Sequence, residues 1–245
     1  MNKSAALDID NVSVSYDTVN YVIEDVSIKA MPGEFFGLIG LNGVGKTTLI
    51  KVILGLRTQN KGEISIFGKP CMDPTSKQNF AYLPERFDPP WFLTGIEFLR
   101  FSLKLYKQKV DDELFYEYAE KLALDKNVLK RRVQTYSKGM RQKLGLLATV
   151  LTNCKLLIFD EPMSGLDPLA RTLVKDMLIQ TKEQGRTIFL SSHILADMDE
   201  VCDNVAVLHE CKIRFTGKPA ELKKQTSCAN LERAFLHYIE NKKVA

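Results

Sequence analysis

The chain has 245 residues, 34 of them basic and 30 acidic, and 45% are hydrophobic; this is enough apolar mass for one large domain, or one domain with an insertion, and too much for a disordered chain. A net charge of +4 is too mild to announce a nucleic-acid partner, and a slight basic surplus equally suits a protein resting near an anionic membrane face. The longest apolar runs, Leu144–Leu151 and Phe35–Leu41, fall short of the ~18 residues that a spanning helix needs.

In chain order, Leu7–Tyr16 alternates apolar and polar residues and predicts short strand structure, as does Val22–Ile28. The start, Met1–Asp10, lacks a basic-then-apolar signal pattern, so a cytoplasmic protein is expected. Met31-Pro32-Gly33-Glu34 predicts a turn, and Phe35–Ile39 a strand covered on both faces. That strand runs into a glycine-rich loop and then into Thr48–Leu54, which has helical spacing. From Phe87 to about Leu151 the pattern becomes helical: Ile96–Tyr106, Asp112–Leu124 and Ser137–Leu151 follow the rigid turn Asp88-Pro89-Pro90-Trp91. Strand-like segments return at Leu156–Phe159, Thr187–Leu190 and Val205–Leu208, so a helical block set inside an α/β domain is expected. Leu231–Tyr238 predicts a last short helix, with Lys242-Lys243 as a frayed end. The five cysteines, Cys71, Cys154, Cys202, Cys211 and Cys228, contain no CxxC pair and read as buried thiols.

Gly40-Leu41-Asn42-Gly43-Val44-Gly45-Lys46-Thr47 is a full match to G-x-x-x-x-G-K-S/T, placed between a strand and a helix that opens with Thr48. Its glycines let successive backbone N–H groups curl around an anion, and the helix turns its positive end to the same place. Lys46 reaches the β- and γ-phosphates of a nucleoside triphosphate, and the Thr47 hydroxyl is a Mg²⁺ ligand. More than a hundred residues later the apolar run Leu156–Phe159 ends in Asp160-Glu161-Pro162. Two acids delivered to a sheet edge complete such a site, with Asp160 holding Mg²⁺ and Glu161 deprotonating the attacking water. His193, just beyond the strand Thr187–Leu190, stands where ligand-facing residues sit in parallel sheets, whereas His209 and His237 read as structural.

With these elements in place, the chain resembles the nucleotide-binding subunits of ATP-binding cassette (ABC) transporters over nearly its whole length. Tyr136-Ser137-Lys138-Gly139-Met140-Arg141-Gln142 looks like the family's signature segment, keeping Ser137 and Gly139 and departing at Tyr136, Lys138 and Met140. Lys138 either adds a cation to that face or points to solvent. Ser164-Gly165-Leu166-Asp167 resembles the D-loop, and His193 matches the switch histidine. Tyr16 is close to the position of the aromatic that stacks on adenine, with Tyr21 the competing candidate. Glu85 stands where the family has its Q-loop glutamine: either it is an oxygen ligand for Mg²⁺, or it is solvated and pairs with Arg86.

The resemblance implies an α/β fold: a phosphate-loop ATPase core, mixed and largely parallel with an N-terminal antiparallel β part, carrying an inserted α-helical subdomain. Residues 1–86 and 152–220 would form the core, 87–151 the helical signature subdomain and 221–245 a helical tail. It further implies ATP and Mg²⁺ at the site, and a homodimer or heterodimer of cassettes in which Ser137, Gly139 and Asp167 serve the partner's nucleotide. A separate transmembrane permease, export as the direction, and a place on the cytoplasmic face of the membrane are implied as well. The permease would dock on the aromatic stretch Phe87, Trp91, Phe92, Phe98 and Phe101, about two-thirds of which is expected in the core. The rival assignments are a non-transport ATPase of the same superfamily working on nucleic acid or ribosomes, and a generic phosphate-loop kinase or GTPase. The first usually brings a long coiled coil or a second cassette, and neither is in this sequence; the second leaves the signature segment unexplained.

Overall fold

The computed structural model describes residues 4–16 and 20–241; Lys242-Lys243 lies outside them. Two sheets are stacked through a shared core. The smaller is antiparallel: β1 (Leu7–Ser15) pairs with β2 (Tyr21–Ala30) on one side and β4 (Lys61–Ile66) on the other, and β5 (Lys69–Pro70) extends the edge beyond β4. The larger sheet has the order β10-β9-β3-β8-β7-β6, built from β3 (Phe35–Ile39), β6 (Phe80–Leu83), β7 (Leu156–Asp160), β8 (Thr187–Ser192), β9 (Asn204–His209) and β10 (Lys212–Gly217). Its first five strands from the β6 edge run parallel, and only β10 is antiparallel.

Apolar runs without alternation become central strands because both faces of the larger sheet are covered. Along β7, Leu156 and Ile158 face one core cluster and Leu157 and Phe159 the other, following the two-residue period of a pleated strand. The first cluster joins the larger sheet to the small one through α1 (Lys46–Ile53), which is buried on nearly every side and carries Leu49, Ile50, Val52 and Ile53. There Phe36 and Phe189 stack with ring centroids 5.9 Å apart. The second cluster packs the other face against α2 (Gly95–Leu105), α3 (Asp112–Lys121), the single turn α4 (Lys126–Leu129), α5 (Lys138–Val150) and α6 (Pro168–Glu183). α7 (Leu195–Val201), α8 (Pro219–Thr226) and α9 (Leu231–Asn241) close that side. The helical block between β6 and β7 therefore shares its core with the sheet.

Thr94 starts α2 with a capping box: its hydroxyl accepts the Glu97 N–H at 3.2 Å while the Glu97 carboxylate accepts the Thr94 N–H at 2.8 Å. Among the described residues no helix is long and apolar enough to cross a membrane.

Three expectations need correction. Most of the aromatic stretch is outside the core: Phe98 is buried and Phe87 half-buried, but Trp91, Phe92 and Phe101 are 63%, 57% and 50% exposed. For Phe101 the reason is helical spacing, since Phe98, Leu99 and Leu103 occupy the inward face of α2 and Phe101 falls on the opposite one, while Trp91 and Phe92 lie in the turn that precedes the helix. Of the cysteines, only Cys71 and Cys154 are fully buried, the other three being partly exposed. The first strand ends at Ser15, leaving Tyr16 in a bend beyond it.

Candidate functional site

Four parallel strands, in the spatial order β3-β8-β7-β6, end level with one another: Ile39 lies opposite Ser192, Asp160 opposite Ser191, and Leu83 opposite Phe159. The loops leaving their C-terminal ends carry residues 40–45, His193, Glu161 and Glu85. This topology places four segments remote in sequence at one sheet edge, which is where parallel α/β sheets hold ligands.

Gly43 and Gly45 adopt φ of +78° and +113°, a region that a side chain would strain, and they curl the loop into a concave run of backbone. Gly45 caps α1 without any side-chain hydrogen bond, so the N–H groups of the first helical turn are not tied up by a capping side chain. Lys46 turns back over the loop, and its Nζ donates to the carbonyls of Gly40 at 2.7 Å and Leu41 at 3.3 Å. The same Nζ is 3.2 Å from Glu161 Oε1, both side chains being only 6% exposed. The other carboxylate oxygen of Glu161 is 2.9 Å from His193 Nδ1. Glu161 Oε1 accepts no hydrogen bond beyond that ion pair, so a carboxylate oxygen with spare lone pairs faces the loop.

Glu161 is held in a left-handed conformation, φ +49°, at a cost of about 1–3 kcal/mol. Its N–H donates to the Ser191 carbonyl at 3.1 Å and to Ser191 Oγ at 3.3 Å, and its own carbonyl accepts the Ser164 N–H at 3.1 Å. Asp160, buried beneath, accepts the Thr47 hydroxyl on Oδ2 at 2.8 Å and the Ser191 hydroxyl on Oδ1. Burial first, and then the carboxylates of Asp160 and Glu85, push the Tyr82 phenol far above its ordinary value, so it stays protonated.

A cleft of about 750 Å³ opens above this floor, lined by Tyr16, Asn42, Gly43, Gly45, Lys46, Thr47, Thr48, Glu85, Glu161 and His193, with Val22 and Ser164. Tyr16 is fixed at its mouth: its hydroxyl lies 3.1 Å from Thr48 Oγ1, and the Arg57 guanidinium sits 3.8 Å from the ring centroid. Tyr21 is not among the lining residues. Ser137, Gly139 and Asp167 also lie outside this cleft. Ser137 caps α5 by accepting the Met140 N–H at 3.2 Å, Asp167 caps α6 by accepting the Ala170 N–H at 2.9 Å, and Lys138 is exposed beside Gly165. The signature segment and the D-loop thus touch each other in one chain through Lys138 and Gly165, while Ser164 at the start of the D-loop lines the cleft.

Thr47 and Asp160 are hydrogen-bonded to each other beside the phosphate loop and Glu85 stands exposed on the lining of the same cleft; oxygen donors of this hard kind suit Mg²⁺. Among the described residues no group of three or more His, Cys, Asp and Glu is arranged to cage a metal. That fits an ion held by one or two carboxylates together with substrate phosphates.

Sequence reasoning passed over several contributors. Ser191 holds both the Glu161 N–H and the Asp160 carboxylate. Ser192, whose hydroxyl accepts the Ile194 N–H at 3.0 Å, fixes the turn that carries His193. Gln142 ties α5 to the loop after Glu161 by donating to the Pro162 carbonyl at 3.0 Å. Two serines at a strand end, where side chains leave the sheet, were the available signal.

Comparison with known proteins finds the "ABC transporter" family profile matching residues 23–164. An uncharacterised ABC transporter ATP-binding protein of Synechocystis is 39% identical over 203 residues, 82% of this chain and 57% of that one. A fluoroquinolones export ATP-binding protein of Mycobacterium tuberculosis is 37% identical over 196 residues, 78% of this chain and 63% of its own. This chain thus spans about three-fifths of the length of these relatives. A solved ATP-binding subunit of an ABC transporter superimposes with a TM-score of 0.86 at 33% identity, covering 96% of this chain and 99% of that one.

Proposed function

This chain belongs to the ABC transporter family of ATP-binding proteins, and on that premise we propose that it is an ATP-hydrolysing motor subunit driving a separate transmembrane permease. The observation that carries the proposal is the buried Lys46–Glu161 pair, extended by His193 at the exposed rim, beside an uncapped helix N-terminus: a phosphate cradle and a general base share one floor.

In this mechanism the loop N–H groups and Lys46 bind the β- and γ-phosphates, Lys46 giving up its contact with Glu161 for the stronger charge of the nucleotide. Tyr16 stacks on the adenine, a contact that tolerates any base. Thr47, Asp160 and Glu85 would hold Mg²⁺, which would supply positive charge to offset that developing on the phosphates. Glu161 takes the proton of the attacking water through its spare carboxylate oxygen, and His193 orients that carboxylate and contacts the γ-phosphate. The left-handed turn at Glu161 keeps the base in the cleft instead of on the packed sheet face that carries Phe159.

Ser137, Gly139 and Asp167 reach the nucleotide of a second cassette, in a homodimer or heterodimer packed head to tail, and a serine-capped helix start is suited to a phosphate. The exposed face of Trp91, Phe92 and Phe101 receives a short helix of the permease. Export is supported by the mycobacterial relative, a fluoroquinolones export ATP-binding protein, and by Glu85 and Lys138 standing where the family's glutamine and glycine are usual. The subunit then sits peripherally on the cytoplasmic membrane face. Co-expression tests this: the chain should fractionate with membranes only when a multi-span partner is present, and Trp91→Ala with Phe92→Ala should release it. Membrane binding without any partner, or retention of the double variant, would refute the docking face.

A further inference from the structure

Ser191 is fully buried and stands opposite Asp160 in the parallel β7–β8 register. Its hydroxyl donates to Asp160 Oδ1, and Ser191 Oγ itself accepts the Glu161 N–H at 3.3 Å. Asp160 Oδ2 accepts the Thr47 hydroxyl at 2.8 Å. The two oxygens of the carboxylate are thereby distinguished: one is tied to the sheet interior, the other faces the phosphate-binding helix. A hydroxyl does both tasks because it has one proton and two lone pairs. Alanine or valine supplies neither, and a site this buried leaves no room for solvent to substitute. The neighbouring Ser192 spends its hydroxyl on the turn of His193, so the support of the acid pair falls to Ser191 alone of the two serines.

We infer that Ser191 is a positioning residue for a divalent cation. It fixes the rotation of the Asp160 carboxylate so that Oδ2 is presented beside Thr47, and it anchors the backbone of Glu161 in its left-handed turn. The inference rests on the nucleotide-binding role proposed above, and it concerns groups that support metal ligands, which characteristically tune affinity without touching the ion.

The test titrates Mn²⁺ by electron paramagnetic resonance into the full chain with a non-hydrolysable ATP analogue, and separately measures analogue binding in EDTA by calorimetry. Ser191→Thr and Ser191→Val have the same shape and differ only in the hydroxyl, so the pair separates hydrogen bonding from packing. Ser191→Ala and Ser191→Val are expected to raise the Mn²⁺ dissociation constant about tenfold, with Ser191→Thr staying within about threefold of the parent. All three should bind the analogue in EDTA as the parent does. Unchanged Mn²⁺ affinity in Ser191→Val, or a loss in Ser191→Thr equal to that in Ser191→Val, would overturn the inference while leaving the nucleotide site intact. A parent chain that binds no analogue would overturn the nucleotide assignment and the inference with it.

Discussion

Glu161→Gln changes one charge and almost no volume. Gln keeps an oxygen that can accept from His193, at the 2.9 Å position now held by the carboxylate, but it cannot take a proton from water. Loss of a general base costs about 10²–10⁴ in turnover, which is about 3–5 kcal/mol of barrier at 1.36 kcal/mol per tenfold. The ion pair with Lys46 is lost as well. At 3.2 Å and an effective dielectric of about 20 it is worth roughly 5 kcal/mol of gross attraction, largely offset by no longer burying a carboxylate. Lys46 retains the Gly40 and Leu41 carbonyls, so fold stability should shift by no more than about 1 kcal/mol. Phosphate release at saturating MgATP, calorimetric ATP affinity and light scattering in MgATP give the three readouts. The expected pattern is a 10²–10⁴-fold slower enzyme with ATP affinity retained and dimers accumulating. Turnover close to the parent rate would remove Glu161 from the role of base; lost ATP binding would mean that its charge shapes the loop instead.

Lys46→Ala should raise the ATP dissociation constant about ten- to a hundredfold, the worth of a hydrogen bond to a charged group, and should lower the melting temperature because Glu161 stays buried without its ammonium; equal calorimetric affinity would exclude Lys46 as a phosphate ligand. Arg100→Gln probes the surface of the helical block. The Arg100 guanidinium holds the Asp112 carboxyl below its ordinary value by a hydrogen bond and charge. A depressed carboxylate contributes stability above its unfolded pKa of about 3.9 and loses it as pH falls through the lower native value. Urea midpoints of parent and variant should therefore differ at pH 6 and converge below pH 3.9; a gap that persists or widens in acid would contradict the pairing.

The parts of the fold that were legible in the sequence are those whose physics is local. Phe35–Ile39 and Leu156–Phe159 announce central strands because both faces are buried, and Ser137 sits at a helix start where a hydroxyl satisfies free N–H groups. The 16-residue α6 was passed over although it carries a clear signal: Asp167 at the cap, Pro168 in the first turn, and burial at Ala170, Val174, Met177, Leu178 and Thr181. β4 and β6 are harder. Lys61-Gly62-Glu63 has no apolar pattern, and the strand exists because Leu7, Asp8, Ile9 and Asp10 of β1 pair with Ile66, Ser65, Ile64 and Glu63. The four residues of β6 become a strand only beside β7.

The site divides in the same way. Residues 40–48, Asp160 and Glu161 are readable because the chemistry demands particular side chains at fixed spacing behind a strand. What sequence spacing does not encode is that β8 lies between β3 and β7, a consequence of the sheet order alone. That order sets His193 against Glu161 and Ser191 against Asp160 across about thirty residues of chain. It also explains the strain at Glu161. A residue continuing β7 in extended conformation would place its side chain on the sheet face already packed with Phe159 and Leu190, whereas at φ +49° the carboxylate meets Lys46 and His193. The neighbouring strand sustains that conformation, since Ser191 supplies both acceptors of the Glu161 N–H. The geometry of the proposed catalytic site is therefore a property of two adjacent strand ends acting together, and a change at Ser191 should be felt at Glu161 with no contact to nucleotide at all.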